Sequence, residues 1–256
     1  MKNILTKFHL NITTYLFFLI AFLCGYFKET ILIFSIVFLH ECGHVITILL
    51  CRYKILKIEL YPFGGMTKID KPINSSINKE MLISLSGICM QLILYPIAYI
   101  ILEGKTYQTF LLYNTTIILF NLLPIIPLDG SIFFHSLFEK FFPYQKAFQC
   151  YKVLSVICFF LFIYGNYKYK LDNYFICLVL FFRFLTLKKE EKYLIQRFYL
   201  ERYLHTFPSK KIENHYQKDI KVLKKETTHF FYDHDSFKNE KEVLKEKFAK
   251  RVRLKT

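Results

Sequence analysis

Several signatures are missing from this sequence, and each absence narrows what the chain can be. Its 7 cysteines, at positions 24, 42, 51, 89, 150, 158 and 177, are odd in number, lie mostly inside apolar runs and form no C-x-x-C pair. That argues against disulfides or a cysteine cluster and leaves them as small packing residues. Lys2 and Lys7 precede an apolar stretch that no small-residue cleavage site follows, so the stretch reads as a retained span rather than a signal peptide. No nucleic-acid motif accompanies the formal charge of +15, so the basic excess reads first as a surface facing anionic lipid. Tryptophan is absent too, yet 29 Phe and 19 Tyr help bring the hydrophobic share of the 256 residues to 54%. This is the composition of a membrane protein.

Charge and hydropathy divide the chain. Residues 188–256 carry 19 Lys/Arg against 11 Asp/Glu, a net +8, which predicts a basic tail after an apolar domain at 1–187. Six spans are expected, near 10–27, 30–51, 81–102, 107–128, 153–167 and 171–187, the last two short, with Arg183 inside the sixth and a shallow hairpin as the alternative for that pair. Alternate loops sort by charge. One side receives Lys2 and Lys7, Arg52 to Lys79, Lys140 to Lys152 and the tail; the other receives Lys28, Lys105, Lys168 and Lys170. The positive-inside rule therefore places both termini in the cytoplasm.

The second span holds the most informative stretch, His40-Glu41-Cys42-Gly43-His44 between ILIFSIVFL and VITILL. On a helix, positions i and i+4 share a face, so two imidazoles meet one metal while Glu41 stands beside them to activate water. Zinc accepts such a site and keeps a position open. An ionisable residue at mid-bilayer costs about 2.5–3.5 kcal/mol on insertion scales, so this trio needs a functional reason to be there. A metal-transporting protein is the alternative to an enzyme, but no inverted repeat is apparent and a single offset Glu suits water activation better than a permeation path.

Two further stretches bear on the site. KILKIELYPFGGMTKI changes to strand-forming residues around a Pro62-Phe63-Gly64-Gly65 turn, predicting an interfacial β-hairpin whose edge can hold an extended substrate. Span 3 opens with Ser84, Ser86 and Gly87 and carries Gln91, read as helix packing. A serine-protease reading fails because no histidine lies in the later spans. Span 4 ends in Asn121-Leu122-Leu123-Pro124-Ile125-Ile126-Pro127-Leu128-Asp129-Gly130. Irregular backbone at that depth is tolerated only against protein or a wet cavity.

H-E-x-x-H in the second span, P-F-G-G after it and N-x-x-P-x-x-P-x-D-G closing the fourth resemble the site-2 protease family of zinc intramembrane metalloproteases. The likeness is strongest to its bacterial stage IV sporulation branch, which trims a membrane-associated pro-sigma factor. It extends over residues 1–204, including QRFYLERY at 196–203. The resemblance implies zinc bound by His40, His44 and Asp129, Glu41 as catalytic base, and Asn121 and Pro127 shaping the site and engaging substrate; Gly64 and Gly65 are expected to contact substrate because they lie in the hairpin turn. Cys42 stands where the family usually has Leu. The tail lacks a recognisable nucleotide-binding CBS module; it ends in an expected charged helix, and its His229, Asp233, His234 and Asp235 read as a solvated loop without an apolar core rather than a second metal site.

The expectation is therefore an all-α polytopic membrane metalloprotease with one interfacial hairpin and a basic cytoplasmic tail. It would act on a membrane-associated protein substrate such as a pro-transcription factor, with inhibitor or activator subunits and anionic lipid as possible partners and no nucleic acid. Depth favours Asp129 over His135 as third ligand. At about 1.5 Å per helical residue from Arg52, His44 and His40 lie roughly 12 and 18 Å deep, while Asp129 lies roughly 15 Å and His135 roughly 6 to 8 Å from Lys140.

Overall fold

The structure, a computed structural model, describes residues 7–61, 64–126, 128–166, 190–209, 211–233 and 236–253. Two compact units emerge: Met1–Lys71 with Leu82–Leu123, and Pro72–Met81 with Pro124–Thr256.

The first unit holds β1 (Phe8–Leu10), α1 (Ile12–Leu23), α2 (Phe27–Leu50), β2 (Lys54–Tyr61), β3 (Gly64–Asp70), most of α3 (Ile77–Ile101) and α4 (Gly104–Asn121). Asn11 starts α1 by accepting the Thr13 N–H at 3.1 Å. At 24 and 25 residues, α2 and α3 run about 36 and 38 Å, longer than the ~30 Å hydrocarbon core of a bilayer. Together with Tyr144–Gly165 of the second unit they are long and apolar enough to cross a membrane. Ile100 and Tyr164, both 82% exposed, belong to apolar faces that lipid would cover. The chain stops being helical at Asn121, short of the expected 128, because Pro124 disfavours helical backbone before it. The sixth expected span, with Arg183, lies outside the described residues.

The expected hairpin is present and is larger than expected. β1 pairs parallel with β2 (Phe8 with Ile58, Leu10 with Leu60), and β2 pairs antiparallel with β3 from Lys54–Asp70 to Tyr61–Gly64. Register slips between Ile55 and Lys57, leaving Leu56 as an extra, exposed residue. The bulge turns both Ile55 and Ile58 inward, where they form a core with Val45 and Ile48 of α2. This anchors the sheet to the helix that carries the His-Glu motif.

The second unit holds α5 (Asp129–Phe141), α6 (Tyr144–Asn166), α7 (residues 190–204), β4 (Lys211–His215), β5 (Thr227–Asp233), β6 (Ser236–Asn239) and α8 (Glu240–Arg253). α6 begins at Tyr144, well before the 153 expected for span 5. β4 pairs parallel with β5, and β5 antiparallel with β6. This corrects two expectations: the described residues are mostly helical with two three-stranded sheets rather than all-α with one hairpin, and the tail has an apolar core. Phe198, Leu223, Phe231 and Leu244 are all but fully buried there with Tyr144, whose ring stacks on Phe198 at 4.1 Å. The charged helix expected at the end of the tail is α8.

Buried charges in this unit are paired. Lys225 Nζ lies 3.0 Å from Glu80 and 2.9 Å from Glu139. Burial alone would lower its pKa, but the two carboxylates outweigh that and keep the ammonium charged. Arg202 forks onto Glu240 and also donates to the carbonyls of Lys224 and Thr227.

His229 is fully buried on β5, not solvated. Glu213, His215 and His229 bring their donor atoms within 4.8 Å of one another, but the hydrogen bonding opposes a metal. His229 Nε2 accepts the Lys224 N–H at 3.0 Å, so a neutral ring carries its proton on Nδ1, 2.9 Å from His215 Nε2. His234 and Asp235 lie outside the described residues. Burial, then the nearby charge of Arg202 and His215, lowers the His229 pKa to about 4 despite the opposing Glu213.

An unfolded histidine titrates near 6.5, so below about pH 6.5 the unfolded chain takes up a proton that the folded chain refuses. The stability that neutral His229 contributes is complete above that pH and is lost progressively toward about pH 4. Thermal unfolding of the detergent-solubilised chain should show a midpoint falling between pH 7 and 5, and His229→Gln should flatten that fall while lowering the midpoint at pH 7.

Candidate metal centre

Helical spacing puts His40 and His44 on one face of α2, and α3 determines how their rings turn. His44 Nδ1 lies 2.8 Å from the Ile83 carbonyl and 3.1 Å from Ser86 Oγ. A carbonyl only accepts, so this nitrogen carries the proton. His40 Nδ1 lies 2.9 Å from Gln91 Oε1, again as donor to an acceptor. Both rings therefore turn Nε2 inward, and the two Nε2 atoms stand 3.0 Å apart. In neutral rings those are converging lone pairs, an arrangement that a cation between them relieves. The donor set, two imidazoles held by a second layer of carbonyl oxygens, fits zinc.

Glycine makes the geometry possible. A Cβ at Gly87 would press on His40 Cε1 and stand 2.6 Å from His44 Nε2. One at Gly43 would stand 2.6 Å from the Ser86 carbonyl oxygen and 2.9 Å from Met90 Cβ. One at Gly65 would lie 2.5 Å from Glu41 Cδ. Gly64, next to it, has open space.

Glu41, like both histidines, is buried. Its Oε1 accepts the backbone N–H of Gly65 at 2.9 Å, so the first residues of β3 hold the carboxylate. An ionised group in an apolar helix is costly unless hydrogen-bonded, and this contact compensates part of the cost.

His40, Glu41, His44 and Gly65 thus come together in the first unit. Asn121 is the last residue of α4 and half-buried. Asp129 opens α5 in the second unit, also half-buried, where a carboxylate suits the positive end of a helix. Residues 130–139 lie within α5, as the depth argument requires. Pro127 lies outside the described residues. His135 is engaged within the second unit, with its ring 5.0 Å from Phe148, 5.7 Å from Tyr144 and Tyr151, and Nδ1 3.6 Å from Glu139. Sequence reasoning took Gly87 and Gln91 for packing and passed over Asn114. The sequence signal was an amide in each of two apolar stretches, which says that each needs a partner but not which one.

Residues 28–111 match the family model described as Peptidase family M50. Stage IV sporulation protein FB of Bacillus subtilis (strain 168) is 29% identical over 211 residues, covering 78% of this chain and 73% of that protein. Zinc metalloprotease MJ0392 of Methanocaldococcus jannaschii is 31% identical over 128 residues, 46% of this chain and 36% of that protein. Among solved structures, the site-2 protease from Methanocaldococcus jannaschii shares the fold with a TM-score of 0.50 and 24% identity, over 72% of this chain and 90% of that one.

Gly87→Ala tests the centre, because the added methyl contests the space between the two Nε2 atoms. Zinc affinity of the purified chain should fall at least about tenfold, the scale on which supporting residues tune metal sites. Gly64→Ala should leave it unchanged.

Proposed function

We propose that the chain is a zinc intramembrane metalloprotease of the site-2 type, like the peptidase family M50 proteins it resembles, and that it cleaves with Glu41 as base beside zinc held by His40, His44 and Asp129. The observation that carries this assignment is the pair of inward Nε2 atoms 3.0 Å apart, with both Nδ1 atoms engaged and Glu41 in the same helical turn. Asp129 is supported by its place in the N-x-x-P-x-x-P-x-D-G stretch at the start of α5.

Bound zinc supplies Lewis acidity, polarising the scissile carbonyl and bringing the pKa of water toward about 7. The chain's own residues do the rest. Glu41 keeps Oε1 on the Gly65 N–H, which leaves Oε2 to take the proton of the attacking water and deliver it to the leaving amide nitrogen. The substrate has to be extended at the cut, since a helix hydrogen-bonds its own carbonyls. Among the described residues β3 pairs only with β2, so its other edge offers backbone partners to an extended strand beside the base. Gly64 and Gly65 begin that edge, and Asn121 and Pro127 contribute to substrate engagement from the end of span 4.

The substrate class is a membrane-associated or membrane-spanning protein, a pro-transcription factor being one example, with membrane inhibitor or activator subunits and anionic lipid as partners. The chain crosses the cell membrane six times with both termini in the cytoplasm. Loop charge supports this orientation.

Glu41→Gln should keep zinc but lower cleavage by at least about 100-fold, the usual share of a general base. Comparing membrane-protein fragments in cells carrying each chain checks this, and equal fragments would sink the assignment. Asp129→Ala should lose both zinc and cleavage, whereas His135→Ala should keep both. For topology, reporters at Lys105 and after Thr256 should read opposite sides of the membrane; the same side for both would reject six crossings.

A further inference from the structure

We propose that Asn114 is a positioning residue for the metal centre, acting through Gln91 to hold His40 in the tautomer that zinc requires. The inference rests on the reading that His40 and His44 bind zinc. Gln91 and Asn114 are both fully buried, 0% exposed, on α3 and α4. Asn114 Nδ2 donates to the Gln91 backbone carbonyl at 3.2 Å. Gln91 Nε2 donates to Asn114 Oδ1 at 3.2 Å, and Gln91 Oε1 meets His40 Nδ1 at 2.9 Å.

Each link determines the next. A backbone carbonyl can only accept, so Asn114 must present its amino group there and its oxygen to Gln91. That oxygen obliges Gln91 to answer with its amino group, which turns Oε1 toward His40. Facing an acceptor, His40 must carry its proton on Nδ1 and keep the Nε2 lone pair for the metal. His44 needs no such chain, because the Ile83 carbonyl sets its ring directly.

Without Asn114 the Gln91 amide is free to reverse. Its amino group would then face His40 Nδ1 and favour the tautomer with the proton on Nε2, where zinc cannot bind. Glutamate at 91 would remove this dependence, since either oxygen accepts from Nδ1 and a reversal changes nothing. The relay therefore predicts an interaction between positions that packing alone does not.

The test measures zinc dissociation constants for the full chain in detergent by competition with a chromophoric chelator. Asn114→Leu should weaken zinc binding about 10- to 100-fold, the range for outer-layer partners of metal ligands. Gln91→Glu combined with Asn114→Leu, which removes the facing Asn114 oxygen, should recover zinc binding to within about threefold of the natural chain. Circular dichroism and gel filtration check folding, and Asn114→Ala serves if Asn114→Leu does not fold. Unchanged affinity in Asn114→Leu, or equal weakness in the double variant, overturns the relay while leaving the zinc site in place. Absence of zinc binding by the natural chain overturns both.

Discussion

How near α2 and α3 lie is set by two glycines that face across the same contact. A Cβ on Gly43 would stand 2.6 Å from the Ser86 carbonyl oxygen, and one on Gly87 the same distance from His44 Nε2. In lipid, apolar surface gives no drive for helices to associate, so contact depends on small residues that let backbones close and on polar groups that bond across. Both operate here. With the helices this close, the Ile83 carbonyl reaches His44 and the Gln91 amide reaches His40. Wider spacing would lose both bonds, and the rings would be free to turn their Nε2 atoms apart.

The sheet adds a second support to the same turn of helix. Leu56 bulges out so that Ile55 and Ile58 both point inward, and these two seat β2 on Val45, next to His44, and Ile48, one turn past it. β3 then arrives with the Gly65 N–H on the Glu41 carboxylate. One helix therefore has its histidines oriented from α3 and its glutamate oriented from the sheet. The division suits the chemistry, because the groups that bind cation and the group that moves protons are steadied by separate neighbours.

What the sequence made legible follows from how local each signal is. The i, i+4 spacing of His40 and His44 needs only one helix to be understood, and the strand-forming run around Gly64 and Gly65 needs only its own pattern. The meaning of Gln91 depends on Asn114, 23 residues away on another helix, and neither residue announces the other. β1 is three residues long, and its partner lies beyond two helices. The tail misled for a related reason. Its core draws Phe198 from α7, Phe231 from β5, Leu244 from α8 and Tyr144 from α6. Each element contributes only one or two fully buried residues, and in α7 and α8 these stand amid lysine and glutamate, so no window of the tail looks like a core.

The parallel pairing of β1 with β2 also bears on how the chain is assembled. β1 precedes α1, β2 follows α2, and Phe8 lies against Ile58. Strands can meet this way only if the intervening helices go out and come back, so the sheet enforces the parity of the helical hairpin. If α2 did not run back toward the start of α1, Phe8–Leu10 and Lys54–Tyr61 would lie at opposite ends of the helices. Closing the sheet therefore depends on the first two helices folding back on each other, and its pairings tie the two ends of that hairpin together.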